Sequence, residues 1–152
     1  SDTEGVLSAK LGGDGSFGGL LHLPNSGCRP FPEEKGRFIR MQGNEVFKQA
    51  VRNMYECAVC VLDRAGLSPQ EVSLLIPHQA NVRIIDAVAK RLGLPEEKVF
   101  RNIAEYGNTS AATIPIALCE AVEQGRLKKG DVLVIDAFGA GLTWGAMAIR
   151  WA

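Results

Sequence analysis

The sequence lacks several features that mark particular classes of protein. Its 17 basic residues balance 17 acidic residues, so net charge gives no reason to expect binding to nucleic acid or to a broad membrane surface. No apolar run approaches the ~20 residues needed to span a bilayer. No secretory signal peptide is visible at the start of the sequence. These absences favour a protein that works without nucleic acid and without a membrane.

Cysteine is also scarce. Cys28, Cys57, Cys60 and Cys119 are scattered along 152 residues, which does not resemble the disulfide framework of a small secreted protein. Cys57 and Cys60 form a C-x-x-C pair, but no second pair accompanies it, and the surrounding pattern predicts a long helix. Core packing is therefore favoured over metal or redox chemistry, no metal site is expected, and the expected compartment is a reducing cytoplasm.

Enough apolar sequence is present for a packed domain, and its periodicity predicts an α/β fold with helices covering a mixed sheet. Apolar residues make up 46% of the chain and charged residues 22%. A glycine- and proline-rich lead of about forty residues precedes alternating helices and strands. The helices are predicted at 44–66, 79–93 and 111–125, and the strands at 5–12, 17–23, 72–78, 98–103, 132–138 and 143–151.

Polar residues interrupt the ends of these elements at three points, namely His78, Asn108 and the loop at 139–141. Such rims are where α/β sheets bind ligands. Taken alone, His78 is more simply explained as a histidine whose ring is satisfied by backbone groups at a helix start. Asn108 is followed by Thr109 and Ser110, and each of the three could cap the next helix, although a helix needs only one cap.

The glycine loop at 139–141 has a spacing that could suggest dinucleotide binding. That fingerprint must be followed by a helix, whereas a strand is predicted here, so the nucleotide interpretation is rejected. A glycine-rich hairpin can instead present backbone N–H groups to a developing oxyanion. The three points supply hydrogen-bond donors, but no nucleophile accompanies them. Ser110 and Cys119 are the nearest candidates, and Cys119 lies within an apolar helical run.

Four segments closely resemble the β-ketoacyl-acyl-carrier-protein synthase III family: MQGNEVFKQAV at 41–51, PHQAN at 77–81, GNTSAA at 107–112 and DAFGAGLTWG at 136–145. The resemblance extends over nearly the whole chain. It implies the C-terminal half of a thiolase-like, five-layered αβαβα fold, with a mixed five-stranded sheet covered by helices. Residues 1–35 would be the tail of the N-terminal half with its connecting turns, and residues 36–152 the C-terminal domain.

The resemblance also implies a reaction. The family joins an acyl group, taken from coenzyme A onto a cysteine, to malonyl-acyl-carrier protein by decarboxylative Claisen condensation, which initiates fatty-acid synthesis. His78 and Asn108 would stabilise the thioester enolate, and the N–H of Ala140 would serve the acyl oxyanion hole. The nucleophilic cysteine belongs to the N-terminal half, and none of the four cysteines matches its motif. The isolated chain is therefore expected to be inactive.

Further positions follow from the same resemblance. The phosphopantetheine arm would pass Gly43, Phe47, Ala80, Asn81 and Phe138. An acidic carrier protein would dock on a basic patch, although a solvated helix face with an Asp86–Lys90 ion pair is the simpler alternative. The residues of this basic patch are Arg83, Lys90 and Arg91.

The implied partners are acyl-carrier protein, acetyl-coenzyme A or another short acyl-coenzyme A, the N-terminal half of the same enzyme and a second copy in a homodimer. No cofactor is expected beyond the thioester carriers, coenzyme A and phosphopantetheine. Two alternatives remain open: a non-catalytic module that binds carrier protein or coenzyme A, and a related ketosynthase of secondary metabolism. The sequence begins without methionine and enters a strand almost at once, as expected of a chain cut from something longer.

Overall fold

A computed structural model describes residues 4–24 and 38–152. Cys28 and the boundary predicted near residue 35 lie outside these ranges. None of the helices in the described ranges combines the length and apolar character needed to cross a bilayer. In chain order the elements are β1 (Gly5–Gly13), β2 (Leu21–His22), β3 (Arg40–Met41), α1 (Gly43–Arg64), β4 (Leu74–Pro77), α2 (Val82–Leu92), α3 (Ile103–Tyr106), α4 (Thr113–Glu123), β5 (Val132–Gly139) and β6 (Thr143–Arg150).

The main sheet is mixed, as predicted, with strand order β1-β6-β5-β4. Strands β4 and β5 are parallel, whereas β6 runs antiparallel to both β5 and β1. Strands β2 and β3 form a separate two-residue antiparallel pair. Because β1 pairs with β6 over most of its length, its residues share a sheet with the C-terminal strands. The domain boundary predicted at residue 35 stays a prediction.

The main sheet has four strands among the described residues rather than the five predicted. The segment expected as a strand at 98–103 makes only one parallel bridge, between Val99 and Leu75. The N–H of Phe100 donates to the Leu75 carbonyl at 2.9 Å. The next backbone groups, the Phe100 carbonyl and the Asn102 N–H, bond to the side chain of Gln79 instead of to the backbone of β4. A side chain thus ends the sheet at this edge.

The strand predicted at 17–23 is shorter than expected. Residues 15–20 form a 3-10 helix, because the carboxylate of Asp14 accepts the N–H of Ser16 at 2.9 Å and starts a turn. Only Leu21 and His22 are extended, and they pair with β3.

Helices cover both faces of the sheet. Leu75 and Val134 point towards α1 and α2, whereas Leu74, Ile76 and Leu133 point towards α4. This alternation is the period-2 pattern of strands that are buried on both faces. The core therefore lies in two layers, one on each side of β4 and β5.

The helix ends follow their local sequence. Asn81 caps α2, since its side chain accepts the N–H of Arg83 at 2.9 Å, and Gly93 ends the helix in the left-handed conformation at φ 68°. Pro115 is the third residue of α4, where no helical partner exists for the N–H that proline lacks, so it is tolerated without a break. The predicted helices are therefore confirmed, and the four-residue helix α3 is an addition.

Candidate active site

The carboxyl edge of the main sheet carries the three polar points found in the sequence. His78 directly follows β4 and Ala140 directly follows β5, and the two strands are parallel, so both residues lie at this edge. Helix α4 leads through a short connection into β5 and packs on the sheet. Its amino end, preceded by Asn108, therefore returns to the same edge.

His78 is held by its backbone and keeps its ring available. Its N–H donates to the Asp136 carbonyl at 2.7 Å, and its own carbonyl accepts the N–H of Ala80 at 2.9 Å. The residue is half-buried, and desolvation lowers the pKa of the imidazole, which favours the neutral ring. Desolvation alone accounts for this shift, without a hydrogen bond to the ring. The simpler explanation, a ring satisfied by backbone groups, therefore finds no support in the described residues.

Asn108 does not cap the helix that follows it. The N-cap position of α4 is Ala112, and no side chain caps it. The Asn108 side-chain oxygen instead accepts the N–H of Ser110 at 3.0 Å, within a turn where Ser110 has φ 54°. Because the oxygen of the exposed carboxamide is occupied, its NH₂ group is the part left to donate to a ligand.

The loop after β5 joins two antiparallel strands, as predicted. Ala140 is exposed, and its carbonyl accepts the hydroxyl of Thr143 at 3.1 Å. The next residues are anchored from beneath, since the buried Leu142 exchanges two backbone hydrogen bonds with Asp14, at 2.9 and 3.1 Å. A loop held in this way can present backbone groups in a fixed direction.

Sequence reasoning missed the polar residues beneath this edge. Gln79 is 1% exposed and Asn102 is 5% exposed. Both ends of the Gln79 carboxamide are hydrogen-bonded, as are the backbone N–H and the side-chain NH₂ group of Asn102. Glu120 on α4 accepts hydrogen bonds from Asn102, at 3.0 Å, and from the hydroxyl of Tyr106. The one available signal was a glutamine between two functional candidates at the end of an apolar strand.

Comparison with known proteins assigns the arrangement to a family. Residues 62–151, more than half of the chain, match the family described as 3-oxoacyl-[acyl-carrier-protein (ACP)] synthase III C terminal. The chain belongs to this family. The prediction from the four motifs is thus confirmed.

Individual members of the synthase III family match almost all of the chain. A β-ketoacyl-[acyl-carrier-protein] synthase III from Aquifex aeolicus is 51% identical over 99% of this chain, which covers 45% of that relative. The crystal structure of the synthase III from Thermus thermophilus is 45% identical with a TM-score of 0.92, covering 100% of this chain and 48% of that one. The chain therefore spans less than half the length of these relatives. The thiolase-like α/β fold class is confirmed.

A second solved structure is more distant. The priming β-ketosynthase from the R1128 polyketide biosynthetic pathway is 37% identical, with a TM-score of 0.85 over 99% of this chain and 46% of that one. The fold of this synthase III segment is therefore shared with an enzyme of a differently named pathway.

Within the described ranges, the thiols of Cys57 and Cys119 are not activated as nucleophiles. Cys57 is 1% exposed in α1, and burial raises the pKa of its thiol. Cys119 is exposed on α4, where the negative charge of Glu123 raises its thiol pKa. A raised pKa removes thiolate, which is the reactive form. Cys60 is half-buried on α1, so the two residues of the C-x-x-C pair lie in or beside the core, as predicted.

The residues predicted to line the pantetheine path lie on the amino ends of α1 and α2 and on β5. Gly43 is the first residue of α1, and Phe47 lies one turn further, with the guanidinium of Arg83 5.5 Å from the centre of its ring. Phe138 packs against the core cluster formed by these helices. Ala80 is half-buried, whereas Asn81 is exposed and caps α2.

The basic patch on α2 is not neutralised by its own helix. Asp86 pairs with Arg101 at 2.8 Å, so the alternative of an Asp86–Lys90 ion pair is wrong. Lys90 and Arg91 are exposed in the last turn of α2. The guanidinium of Arg91 lies 4.3 Å from the centre of the Tyr55 ring. This cation–π contact restricts the positions that the charged group of Arg91 can adopt.

Proposed function

We propose that this chain is the C-terminal part of a β-ketoacyl-[acyl-carrier-protein] synthase III that primes fatty-acid synthesis. One observation carries the proposal: the half-buried imidazole of His78, whose lowered pKa favours the neutral ring, and the NH₂ group of Asn108 belong to one sheet edge. The thiols of Cys57 and Cys119 have raised pKa values and are not activated. The reaction needs two uncharged donors and takes its nucleophile from elsewhere in the longer protein.

The proposed chemistry proceeds in two stages. A cysteine of the N-terminal part takes an acyl group from coenzyme A, which leaves as the free thiol. Malonyl-carrier protein then binds and loses carbon dioxide, and the electrons of the broken carbon–carbon bond form an enolate. The enolate carbon attacks the acyl thioester, and the cysteine thiolate leaves as the new carbon–carbon bond forms.

His78 and Asn108 donate hydrogen bonds to the malonyl thioester oxygen, on which negative charge grows during decarboxylation. Neutral donors suit this role, because they offer N–H groups without a formal charge that must be desolvated. The lowered pKa of His78 supports it, since the ring stays neutral to lower pH. The N–H of Ala140 contributes to the oxyanion hole for the acyl group. These roles define the candidate catalytic residues.

Binding follows the helix ends described above. The pantetheine arm passes Gly43, Phe47, Ala80, Asn81 and Phe138, and an acidic carrier protein docks on Arg83, Lys90 and Arg91. The proposal also includes a homodimer, a cytoplasmic location, short acyl-coenzyme A as the first substrate and no further cofactor. Residues 36–152 form the C-terminal domain of the longer chain.

The decisive experiment uses the complete protein in which this chain occurs. His78→Ala and Asn108→Ala should each lower malonyl-carrier decarboxylation by about 100- to 1000-fold, the usual effect of losing one oxyanion donor. Acyl transfer from coenzyme A to the cysteine should remain measurable. Gln124→Ala is the matched control, because this exposed amide follows the opposite end of α4.

Equal loss of both steps in the His78 and Asn108 variants would contradict the assigned roles. Binding of carrier protein or coenzyme A by the complete protein, without any decarboxylation, would favour a non-catalytic binding module instead.

A ketosynthase of secondary metabolism is the second candidate. Its support is the 37% identity to the priming ketosynthase of a polyketide pathway. The two candidates share the site and differ in the acyl group and the carrier protein. Mass spectrometry of products formed with fatty-acid carrier protein and with a polyketide carrier protein distinguishes them.

A further inference from the structure

Four polar side chains connect the segment that carries His78 to the segment that carries Asn108. They are Gln79, Asn102, Tyr106 and Glu120, and we call them the brace. None of these four residues takes part in the proposed chemistry. Their hydrogen bonds run from the end of β4, through both ends of α3, to the C-terminal half of α4.

The first half of the brace fixes the chain next to His78. Gln79 is buried, and its NH₂ group donates to the carbonyls of Pro77 at 2.8 Å and Phe100 at 3.2 Å. Its side-chain oxygen accepts the backbone N–H of Asn102 at 3.2 Å. Both ends of the carboxamide are therefore used, and the end of β4 is attached to the segment that leads to Asn108.

The second half fixes the chain next to Asn108. The NH₂ group of Asn102 donates to one oxygen of Glu120 at 3.0 Å, and the Tyr106 hydroxyl donates to the other oxygen. The hydrogen bond to Glu120 and its negative charge raise the pKa of the Tyr106 hydroxyl, as expected for a phenol that donates to a carboxylate. Tyr106 lies two residues before Asn108. Glu120 thus holds both ends of the short helix α3.

We propose that the brace consists of positioning residues that fix the separation of His78 and Asn108, so that both donors reach one thioester oxygen. The inference rests on the proposed function. Donors to an oxyanion must lie within hydrogen-bonding distance of a single atom, and these two belong to separate elements. The Asn108 side-chain oxygen bonds only within its own exposed loop, to the N–H of Ser110, so packing of Asn108 itself does not fix where that loop lies relative to His78.

Glu120 is the residue on which the test depends. Glu120→Ala removes the acceptor for both Asn102 and Tyr106. Glu120→Gln retains both contacts, because an amide oxygen accepts from Asn102 while its NH₂ group donates to the tyrosine oxygen. Glu123→Ala is the matched control, because it removes the same type of side chain from the exposed last position of α4.

The measurements are made on the complete protein in which this chain occurs. In Glu120→Ala we expect the kcat of malonyl decarboxylation to fall by about 10- to 100-fold, since a misplacement of about 1 Å can cost 100-fold. The KM for malonyl-carrier protein and the rate of acyl transfer should stay unchanged. Glu120→Gln should restore kcat, and Glu123→Ala should match the parent.

Amide hydrogen exchange tests the brace without any activity. Exchange at residues 107–110 should be about tenfold faster in Glu120→Ala, because the loop opens locally. Tyr106→Phe should also speed exchange at these residues, by a smaller factor. This variant tests the inference if Glu120→Ala does not fold. Unchanged exchange at 107–110 would overturn the inference, as would equal loss of acyl transfer and decarboxylation.

The two proposals fail in different ways. A complete protein that does not decarboxylate malonyl-carrier protein contradicts the proposed function, whereas exchange at 107–110 still reports whether Glu120 orders the loop. Conversely, loss of decarboxylation in Asn108→Ala together with full activity in Glu120→Ala contradicts the brace alone.

Discussion

The backbone N–H of His78 donates to the carbonyl of Asp136 at 2.7 Å, so the proposed donor is attached to a residue with a buried acid. Asp136 is 1% exposed, and neither carboxyl oxygen has a hydrogen-bond partner among the described residues. Burial therefore raises the pKa of this carboxyl well above its usual range. The nearby N–H of Ala137 opposes the shift only in part, because it does not reach hydrogen-bonding geometry.

The buried carboxyl group of Asp136 makes stability depend on pH. In the unfolded chain the group ionises near its ordinary pKa of about 3.9. The folded pKa is higher, so its contribution to stability is fully present below about pH 4 and is lost as pH rises through the folded pKa. Asp136→Asn should remove this slope and raise the free energy of unfolding at pH 8, because an amide has no proton to lose in the unfolded chain.

Urea unfolding between pH 4 and pH 8 measures this difference. Asp63→Asn is the control, because Asp63 is exposed near the end of α1. The neighbouring Cys57 thiol does not interfere, since its pKa is raised further from this range. Parallel pH profiles for the parent and Asp136→Asn would show that the carboxyl group is not the source of the slope.

The imidazole of His78 should titrate below the ordinary histidine pKa of about 6.5. The cause is burial of the ring, which disfavours the charged form. Stability linked to this group is therefore present above about pH 6.5 and is lost as pH falls through the folded pKa. Malonyl decarboxylation should likewise persist below pH 6.5, because the neutral donor persists.

NMR titration of the imidazole carbons measures this midpoint directly. Replacement of the only other histidine, as His22→Gln, assigns the two signals. A midpoint above 6.5 for His78 would contradict a desolvated ring and would remove the physical reason for a neutral donor.

Much of the fold could be predicted because it rests on local patterns. Spacing of apolar residues identified α1 and α2, and Gly93 correctly ended α2. The loop at 139–141 was recognised as a hairpin because a strand follows it. In the described segment 98–103, the absence of a full strand could not be predicted, because the buried side chain of Gln79 takes the hydrogen bonds that a longer strand would have made.

The candidate site likewise has residues that could be predicted from the sequence and residues that could not. His78 and Asn108 were visible because polar residues interrupted apolar ends, and the family resemblance gave them roles. Their supports were not visible, since Glu120 contacts Asn102 and Tyr106 across 18 and 14 residues of sequence. Likewise, the pairing of Asp86 with Arg101 replaced the local ion pair that helical spacing suggested. Contacts between separate elements carry no local signal.

The basic patch on α2 should determine the affinity for carrier protein. The double variant Arg83→Glu with Lys90→Glu replaces two attractions by repulsions, each worth on the order of 0.5–1 kcal/mol, so the KM for malonyl-carrier protein should rise about tenfold. The KM for the coenzyme A substrate should not change. The difference between parent and variant should shrink as salt is added, because exposed charges are screened.

Steady-state kinetics with both substrates at several salt concentrations test this expectation. Lys128→Glu is the control, because it changes the same charge at an exposed position before β5. An equal rise in KM for both substrates would point to a general effect on the site rather than to a docking surface.

Tyr55 should contribute to docking through Arg91 without touching the carrier protein. The guanidinium lies 4.3 Å from the centre of the ring, an arrangement worth about 0.5–1 kcal/mol at an exposed position. Tyr55→Leu removes the aromatic face but keeps apolar bulk against α2, so the carrier KM should rise about two- to fivefold. The same change made in an Arg91→Ala background should have no further effect on KM. Additive losses would mean that Tyr55 acts on binding by a route other than the arginine.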